Sequence, residues 1–304
     1  MNQNLQRATE ENVPVTLDKY IVIQETDLDI INTQVPFTKE AQIYFICRRP
    51  RLYVNPNSLI VTEQHLCMTF GRQEKAEFLD KLEIPQKNIF GRTDLLLKST
   101  YPYTYFSIQT LDKKVDYNAK ASAWIDHWGL PSQEKGLLDL EVLYVGKGVS
   151  DNAADRLKHH ETLQKISSHT LAHHPDSELW TLMATFHKGK SHINIIVKGD
   201  VELTDEQEQE DCDRFLNLIK KGGTRISKGQ QINLIEAALI RYFQPAYNND
   251  FVKTFPSRAH TSYSEYYAAG INSILVELDT TERGFQLFST SIPKKDYHRS
   301  TFYL

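Results

Sequence analysis

The chain has 304 residues, of which 40% are hydrophobic and 24% are charged. These values exclude a largely disordered chain, and the length predicts a core domain with additional segments. The formal net charge of −4 excludes a global attraction to nucleic acid, so any phosphate-binding surface has to be a local patch.

The cysteine pattern and the N-terminal sequence bear on the compartment. Cys47, Cys67 and Cys212 have no CxxC spacing, which predicts buried free thiols in a reducing compartment and argues against a disulfide framework or a zinc knuckle. The N-terminus lacks the apolar region of a signal peptide, and no apolar run approaches the ~20 residues that span a bilayer. We therefore expect a cytoplasmic protein that does not contact membranes.

Residues 1–98 have the pattern of a small α+β accessory domain. The segments KYIVIQ, AQIYFICRR, RLYV and SLIVT read as strands, and RQEKAEFLDKL, which follows Gly71, reads as a helix. What this domain recognises is not indicated by its sequence.

Residues 99–250 are expected to form the core domain. Tyr101–Thr110 is rich in aromatic and β-branched residues and predicts a strand. The segment 111–140 contains several chain breakers and is expected to be an insertion between two strands. LEVLYVG, at Leu140–Gly146, predicts the second of these strands.

Three helices are predicted in the remainder of this domain. In the first, ADRLKHHETLQKI, Arg156 and His160 are one turn apart and share a face. The second begins with a capping box of Thr204 and Gln207. The third, QINLIEAALIRYF, carries Glu236 beside its apolar stripe. Residues 251–304 then read as a strand-rich C-terminal extension.

Several of these residues suit the hydrolysis of a phosphodiester. Glu236 is a candidate ligand for Mg²⁺, which prefers oxygen donors and keeps several waters, and the fork of Arg156 fits phosphate oxygens. Tyr144 could bind or deprotonate the attacking water. A free tyrosine has a pKa near 10, so it would need a neighbour, His160 or Lys147. Each residue alone has an ordinary structural explanation, and the argument rests on their order and spacing.

These residues resemble the GIY-YIG nuclease superfamily. YVG at Tyr144–Gly146 is similar to its second half-motif, Arg156 with His160 matches its helix pattern, and IEAALIRYFQPAYN, ending at Asn248, is similar to its metal-binding helix. The resemblance covers roughly Tyr101–Asn249. It implies an α+β fold with a small mixed or antiparallel sheet flanked by helices, one Mg²⁺ or Mn²⁺ on Glu236, and cleavage of nucleic acid.

The first half-motif departs from the family pattern, because no Gly-Ile-Tyr precedes Tyr144 at a short distance. We expect Tyr103-Thr104-Tyr105 to replace it, with Tyr105 as the catalytic tyrosine and Tyr103 as the alternative. In this interpretation the segment 111–140 is inserted in the hairpin between the two half-motifs.

A basic segment, RFLNLIKKGGTRISKG, leads into the Glu236 helix. It is either a solvated loop or a clamp on the nucleic-acid backbone, which would make binding fall steeply with salt. DNA is the expected partner, and a second copy of the chain in a homodimer or an activating partner protein is a further candidate partner. The residues expected to contact nucleic acid are Lys147, Lys220, Lys221, Arg225, Lys228 and Asn248.

Two other functions compete with a Mg²⁺-dependent endonuclease of restriction, phage defence or repair. The first is a catalytically weak GIY-YIG module that binds nucleic acid or a protein partner. The second is a zinc site, because imidazole suits Zn²⁺; its candidate ligands are His159, His160, His169, His173 and His174.

Overall fold

The computed structural model of the chain describes residues 9–27, 37, 40–129, 136–148, 161–189, 192–195, 203–221 and 225–304. Over these ranges the protein is a strand-rich mixed α/β structure, and none of their helices is long and apolar enough to cross a membrane. The strands are β1 Thr9–Gln24, β2 Ile43–Pro50, β3 Leu52–Val54, β4 Ile60–Val61, β5 His65–Glu74, β6 Glu77–Lys87, β7 Leu96–Ser99, β8 Tyr105–Gln109, β9 Asp116–Lys120, β10 Leu140–Lys147, β11 Ser177–Lys188, β12 His192–Ile195, β13 Ser273–Asp279, β14 Leu287–Phe288 and β15 Tyr297–Tyr303. The helices are α1 Ala121–Trp128, α2 Glu161–His173, α3 Asp205–Lys221, α4 Lys228–Phe243 and α5 Ser264–Ala268.

The largest sheet contains strands from all three predicted segments. In the described part of the chain it has eight strands, in the order β14-β10-β2-β11-β1-β13-β15, with β12 paired to β1. Strands β1 and β2 come from residues 1–98, β10 to β12 from residues 99–250, and β13 to β15 from residues 251–304. The predicted boundaries therefore do not coincide with the limits of separate sheets.

Strand β2 lies between β10 and β11 and is antiparallel to both. Cross-strand neighbours Arg48 and Glu141 form a 2.7 Å ion pair that links β2 to β10. Alternate residues of β2 enter different cores, as the period of a strand requires. The larger core includes Ile43, Phe45 and Cys47 with side chains of α1 and α4, and the smaller core includes Tyr44 and Ile46 with side chains of α2.

The helix predicted over RQEKAEFLDKL is wrong, because these residues form a β-hairpin. Strands β5 and β6 pair antiparallel, with Phe70 opposite Leu82. The two turn residues, Lys75 and Ala76, have positive φ values of 50° and 63°. Such a turn usually contains Asn or Gly, and the Lys-Ala sequence gives no such signal.

The predicted partner of the Leu140–Gly146 strand is also wrong. Strand β8, which contains most of Tyr101–Thr110, pairs with β7 and β9 in a separate three-stranded sheet. The partner of β10 on its long edge is β2, nearly one hundred residues earlier in the chain. The intervening residues supply both smaller sheets and helix α1, so the insertion between these two strands is much longer than residues 111–140.

Candidate active site

Two tyrosines from neighbouring strands meet on the side of the sheet that α2 covers. The ring centroids of Tyr44, in β2, and Tyr144, in β10, are 6.1 Å apart. A β-bulge in β10 lies between Val142 and Tyr144. Because bulges re-aim side chains, both Leu143 and Tyr144 contact the smaller core. The bulge thus brings Tyr144 to the same side of the sheet as Tyr44.

Gly146 makes room for this pair. It lies opposite Tyr44 in the β2–β10 register. A Cβ atom on residue 146 would lie 2.5 Å from Cζ and Oη of Tyr44 and 2.8 Å from Cε1 of Tyr144. Any other residue would therefore displace one of the rings, which gives the glycine of YVG a steric role.

The structure does not bring Tyr105 to this site. Tyr105 lies in β8 and is 55% exposed, with the ammonium of Lys120 5.1 Å from its ring centroid. Tyr103 is in the loop before β8 and contacts Phe78, with ring centroids 5.4 Å apart. The tyrosine that faces Tyr144 is Tyr44. The sequence interpretation did not identify it, because the two half-motifs of the family lie close together in sequence. Its signal was available in Gln42-Ile43-Tyr44, at the start of a strongly apolar strand.

Helix α4 places Glu236 against the end of β10. The predicted helix and the position of Glu236 beside its buried stripe are confirmed, and the residue is 9% exposed. Its Oε2 atom lies 2.8 Å from Nζ of Lys147. Because a largely buried carboxylate is costly without a partner, this ion pair accounts for its burial. A divalent cation bound to Glu236 would share the carboxylate with the Lys147 ammonium or displace the ammonium.

The carboxamide of Asn248 binds the backbone of the motif strand. Its Nδ2 donates to the carbonyl of Val145, and its Oδ1 accepts from the amide of Val145, each at 2.9 Å. Strand β14 pairs with β10 only at Leu140 and Glu141, so this side chain acts in place of a strand further along that edge. The structure thus gives Asn248 a positioning role, and its predicted contact with nucleic acid stays a prediction.

Arg156 and His160 lie outside the described residues. Helix α2 is described from Glu161, the residue after His160. Their predicted roles therefore stay predictions.

The predicted basic clamp lies around the end of α3 and the start of α4. Lys220, Arg225 and Lys228 are exposed. Lys221 ends α3, and its side chain is outside the described part of the structure. The backbone amide of Ser227 donates to Glu265 at 2.7 Å, which fixes the start of α4. Exposure fits both a solvated loop and a clamp, so the contact of these residues with nucleic acid stays a prediction.

Of the five candidate zinc ligands, His159 and His160 lie outside the described residues, so the zinc site stays a prediction. The rings of His169 and His173 contact each other at a tilt of 52°, with centroids 4.4 Å apart, and His169 also contacts Tyr247. Across the described ranges, no group of three or more His, Cys, Asp or Glu side chains is arranged to hold a metal ion. A site with one carboxylate and several waters, as Mg²⁺ often uses, would not require such a group.

Comparisons with known proteins do not assign the chain to a family. No family model, no curated protein and no solved structure matches it.

Proposed function

We propose that the protein is a Mg²⁺- or Mn²⁺-dependent endonuclease that hydrolyses DNA, with the arrangement of a GIY-YIG nuclease. The observation that carries the proposal is the antiparallel pairing of β2 with β10, which sets Tyr44 against Tyr144 over Gly146. The same strand brings Lys147 to Glu236. Residues that are far apart in the sequence, from β2, β10 and α4, are thus held together around strand β10.

The first half-motif in this proposal is Gln42-Ile43-Tyr44. It replaces the expectation based on Tyr105 and requires a long insertion between the two half-motifs, which contains two small sheets and α1. We infer that these inserted elements contribute to the choice of substrate, because loops and insertions on a rigid scaffold commonly carry recognition.

The roles of the residues follow from their chemistry. A divalent ion on Glu236 would stabilise charge on the phosphate and the departing oxygen. Tyr44 and Tyr144 would orient the attacking water, and the one that acts as the base would first give its own phenolic proton to a neighbouring group, for which His160 is the candidate. Lys147, when not paired with Glu236, is close enough to the same site to bind a phosphate oxygen. Arg156 would contribute a second fixed cation.

The substrate side of the proposal depends on the exposed cations Lys220, Arg225 and Lys228. Since the chain carries a net charge of −4, binding through this local patch should weaken steeply with salt. Restriction, phage defence and DNA repair are the settings in which such an enzyme would act.

Cleavage of supercoiled plasmid tests the proposal. Wild-type protein with Mg²⁺ should nick or linearise the plasmid, and Glu236→Gln, which keeps the size of the side chain, should not. Equal cleavage by both proteins would refute the role of Glu236. DNA binding without cleavage by the wild type under Mg²⁺ and Mn²⁺ would instead support a binding module, for which the Lys147–Glu236 ion pair is the favouring observation.

A further inference from the structure

A cavity of about 290 Å³ lies between the large sheet, α1 and the turn that precedes β14. Its walls include Trp180, Leu140 and Phe285, which belong to the larger core. Tyr44 and Tyr144 contact the smaller core. The cavity therefore lies on the face of the sheet opposite to the tyrosine pair, and its described lining does not include Lys147 or Glu236.

Arg49 is a buried cation that lines this cavity. It is 5% exposed, and its guanidinium carbon lies 3.7 Å from the centroid of the Trp180 ring. Among the described residues its Nε has no hydrogen-bond partner and no carboxylate lies within ion-pairing distance. Glu178 and Asp126 offset its charge at longer range, and burial lowers the pKa of Arg49 to about 10. The side chain thus stays protonated at neutral pH, and its Nε–H is a hydrogen-bond donor without a partner among the described residues.

Tyr20 supplies a second donor to the same cavity. Within the described ranges its buried hydroxyl has no hydrogen-bond partner. Burial raises the pKa of Tyr20 to about 12, so the hydroxyl keeps its proton. Buried donors ordinarily have a hydrogen-bond acceptor. The two donors of Arg49 and Tyr20 therefore suit a ligand that supplies an acceptor.

The other charged groups of the cavity already have partners. The ammonium of Lys120 contacts Asp27 and, at 2.9 Å, Oε1 of Gln24. Arg283 pairs with Asp126 at 3.7 Å. Arg49 and Tyr20 thus contribute hydrogen-bond donors to the cavity lining that have no partner among the described residues.

The rest of the lining favours a flat apolar body. Trp180 presents its ring beneath the guanidinium, and Tyr20 and Phe285 form an edge-to-face pair with centroids 5.9 Å apart. Cavities with aromatic walls and a few polar groups are typical small-molecule sites, and about 290 Å³ is at the lower end of their sizes.

We propose that this cavity binds a small organic anion with a planar ring, whose carboxylate or phosphate oxygens accept hydrogen bonds from Arg49 and Tyr20. The ring lies among Trp180, Tyr20 and Phe285. The shared chemistry is a fixed negative charge on a flat body, which includes aromatic carboxylates and nucleoside monophosphates.

Binding to the full-length protein tests this site. The probes are benzoate, indole-3-carboxylate and the four common nucleoside 5′-monophosphates, with benzamide, free nucleosides and inorganic phosphate as controls that lack either the charge or the ring. Thermal unfolding and calorimetry should show that at least one ring-bearing anion raises Tm and binds saturably, and that its neutral analogue and inorganic phosphate do not. The carboxylate and phosphate series distinguish the two ligand sources.

Three variants locate the bound anion. Arg49→Gln and Tyr20→Phe should each weaken binding about tenfold or more, since each removes a hydrogen bond to a charged group. Ala123→Trp, at an exposed helix position on the cavity lining, should block entry without removing any polar group. Arg299→Gln, which removes an exposed arginine from β15, should bind as the wild type does.

Two results would overturn the proposal. One is the absence of saturable binding for every ring-bearing anion, which would mean that water alone satisfies the two donors. The other is binding that is unchanged in both Tyr20→Phe and Ala123→Trp. Because neither of these variants removes a buried charge, they decide the question even if Arg49→Gln fails to fold.

Discussion

Nζ of Lys147 lies 2.8 Å from Oε2 of Glu236, and this ion pair joins the end of β10 to the middle of α4. The side chains retain 23% and 11% of their accessible surface, so water screens the pair less than it would a surface pair. The sequence predicted a phosphate contact for Lys147 and a metal contact for Glu236. In the free protein each charge instead compensates the other, which makes the two predicted roles interdependent.

Lys147→Met should therefore change metal binding. The variant removes the ammonium from Glu236 and keeps an unbranched side chain of nearly the same length. Mn²⁺ affinity of the free protein, measured by calorimetry at pH 7, should increase about tenfold or more, because the interaction of Glu236 with a competing cation, about 1.5–3 kcal/mol, is lost. Cleavage should nevertheless fall, because the phosphate loses a cation.

Lys228→Met is the matched control for that variant. Lys228 is exposed at the start of the same helix, so Mn²⁺ affinity should not change, while the salt dependence of DNA binding should decrease by about one phosphate contact. If Lys147→Met binds Mn²⁺ as the wild type does, the ammonium does not compete with a cation at Glu236.

Gly146→Ala should destabilise the protein and impair cleavage. The added methyl would lie 2.5 Å from the Tyr44 ring, so the ring has to move. The free energy of unfolding, from urea titration, should fall by about 1–3 kcal/mol. Gly229→Ala is the control, because a Cβ there meets nothing within 4 Å. In that helical position alanine should leave stability unchanged or raise it by up to about 1 kcal/mol. Equal stability of the two variants would rule out the steric role of Gly146.

Asn248→Ala should lower the free energy of unfolding by about 1–3 kcal/mol, because it leaves the amide and carbonyl of Val145 without the partners that the carboxamide provides. Asn248→Asp should lower it further, since one of the carboxylate oxygens would face the Val145 carbonyl. Asn249→Ala and Asn249→Asp, at the exposed neighbouring position, serve as controls. Urea unfolding of the four variants checks the order, and a change at residue 249 as large as that at residue 248 would contradict it.

His298 should make the protein less stable in mild acid. It is fully buried, its Nε2 donates to the carbonyl of Lys295 at 3.0 Å, and its Nδ1 accepts from the Tyr242 hydroxyl at 3.1 Å. Burial lowers the pKa of His298 below its ordinary value. As the pH falls through about 6.5, the unfolded chain binds a proton that the folded protein does not, so the free energy of unfolding decreases.

Urea titrations from pH 7.5 to pH 5 of the wild type and His298→Gln check this prediction. The variant should be less stable at pH 7.5 but lose less stability on acidification. His65→Gln, at an exposed position, should keep the wild-type pH dependence. An identical pH dependence in His298→Gln would show that other groups are responsible.

Local patterns predicted several elements well. The period of apolar residues and the stop before Pro245 gave α4 with Glu236 beside its buried stripe. The predicted capping box also forms, with the amide of Thr204 donating to Gln207 at 3.0 Å and the amide of Gln207 donating to the Thr204 hydroxyl at 3.3 Å. These features depend on residues a few positions apart, which a sequence displays directly.

The pairing of strands that are far apart in the sequence was not predicted. The partner of Tyr144 could not be chosen by proximity, because β2 and β10 are separated by two small sheets. The β5–β6 hairpin was not predicted, because its turn residues, Lys75 and Ala76, are not typical turn residues and the surrounding residue pattern suits a helix. The contacts of Lys147 with Glu236, and of Asn248 with Val145, likewise arise only from tertiary packing.

Single-turnover cleavage of plasmid DNA in Mg²⁺ by wild type, Tyr44→Phe and Tyr105→Phe tests the central claim most directly. Each substitution removes one hydroxyl and leaves the ring. We predict that Tyr44→Phe lowers the cleavage rate by about a hundredfold or more, as expected for the loss of a proton-transfer or water-positioning group, and that Tyr105→Phe cuts at the wild-type rate. Wild-type cleavage by Tyr44→Phe together with loss of cleavage in Tyr105→Phe would contradict the site described here.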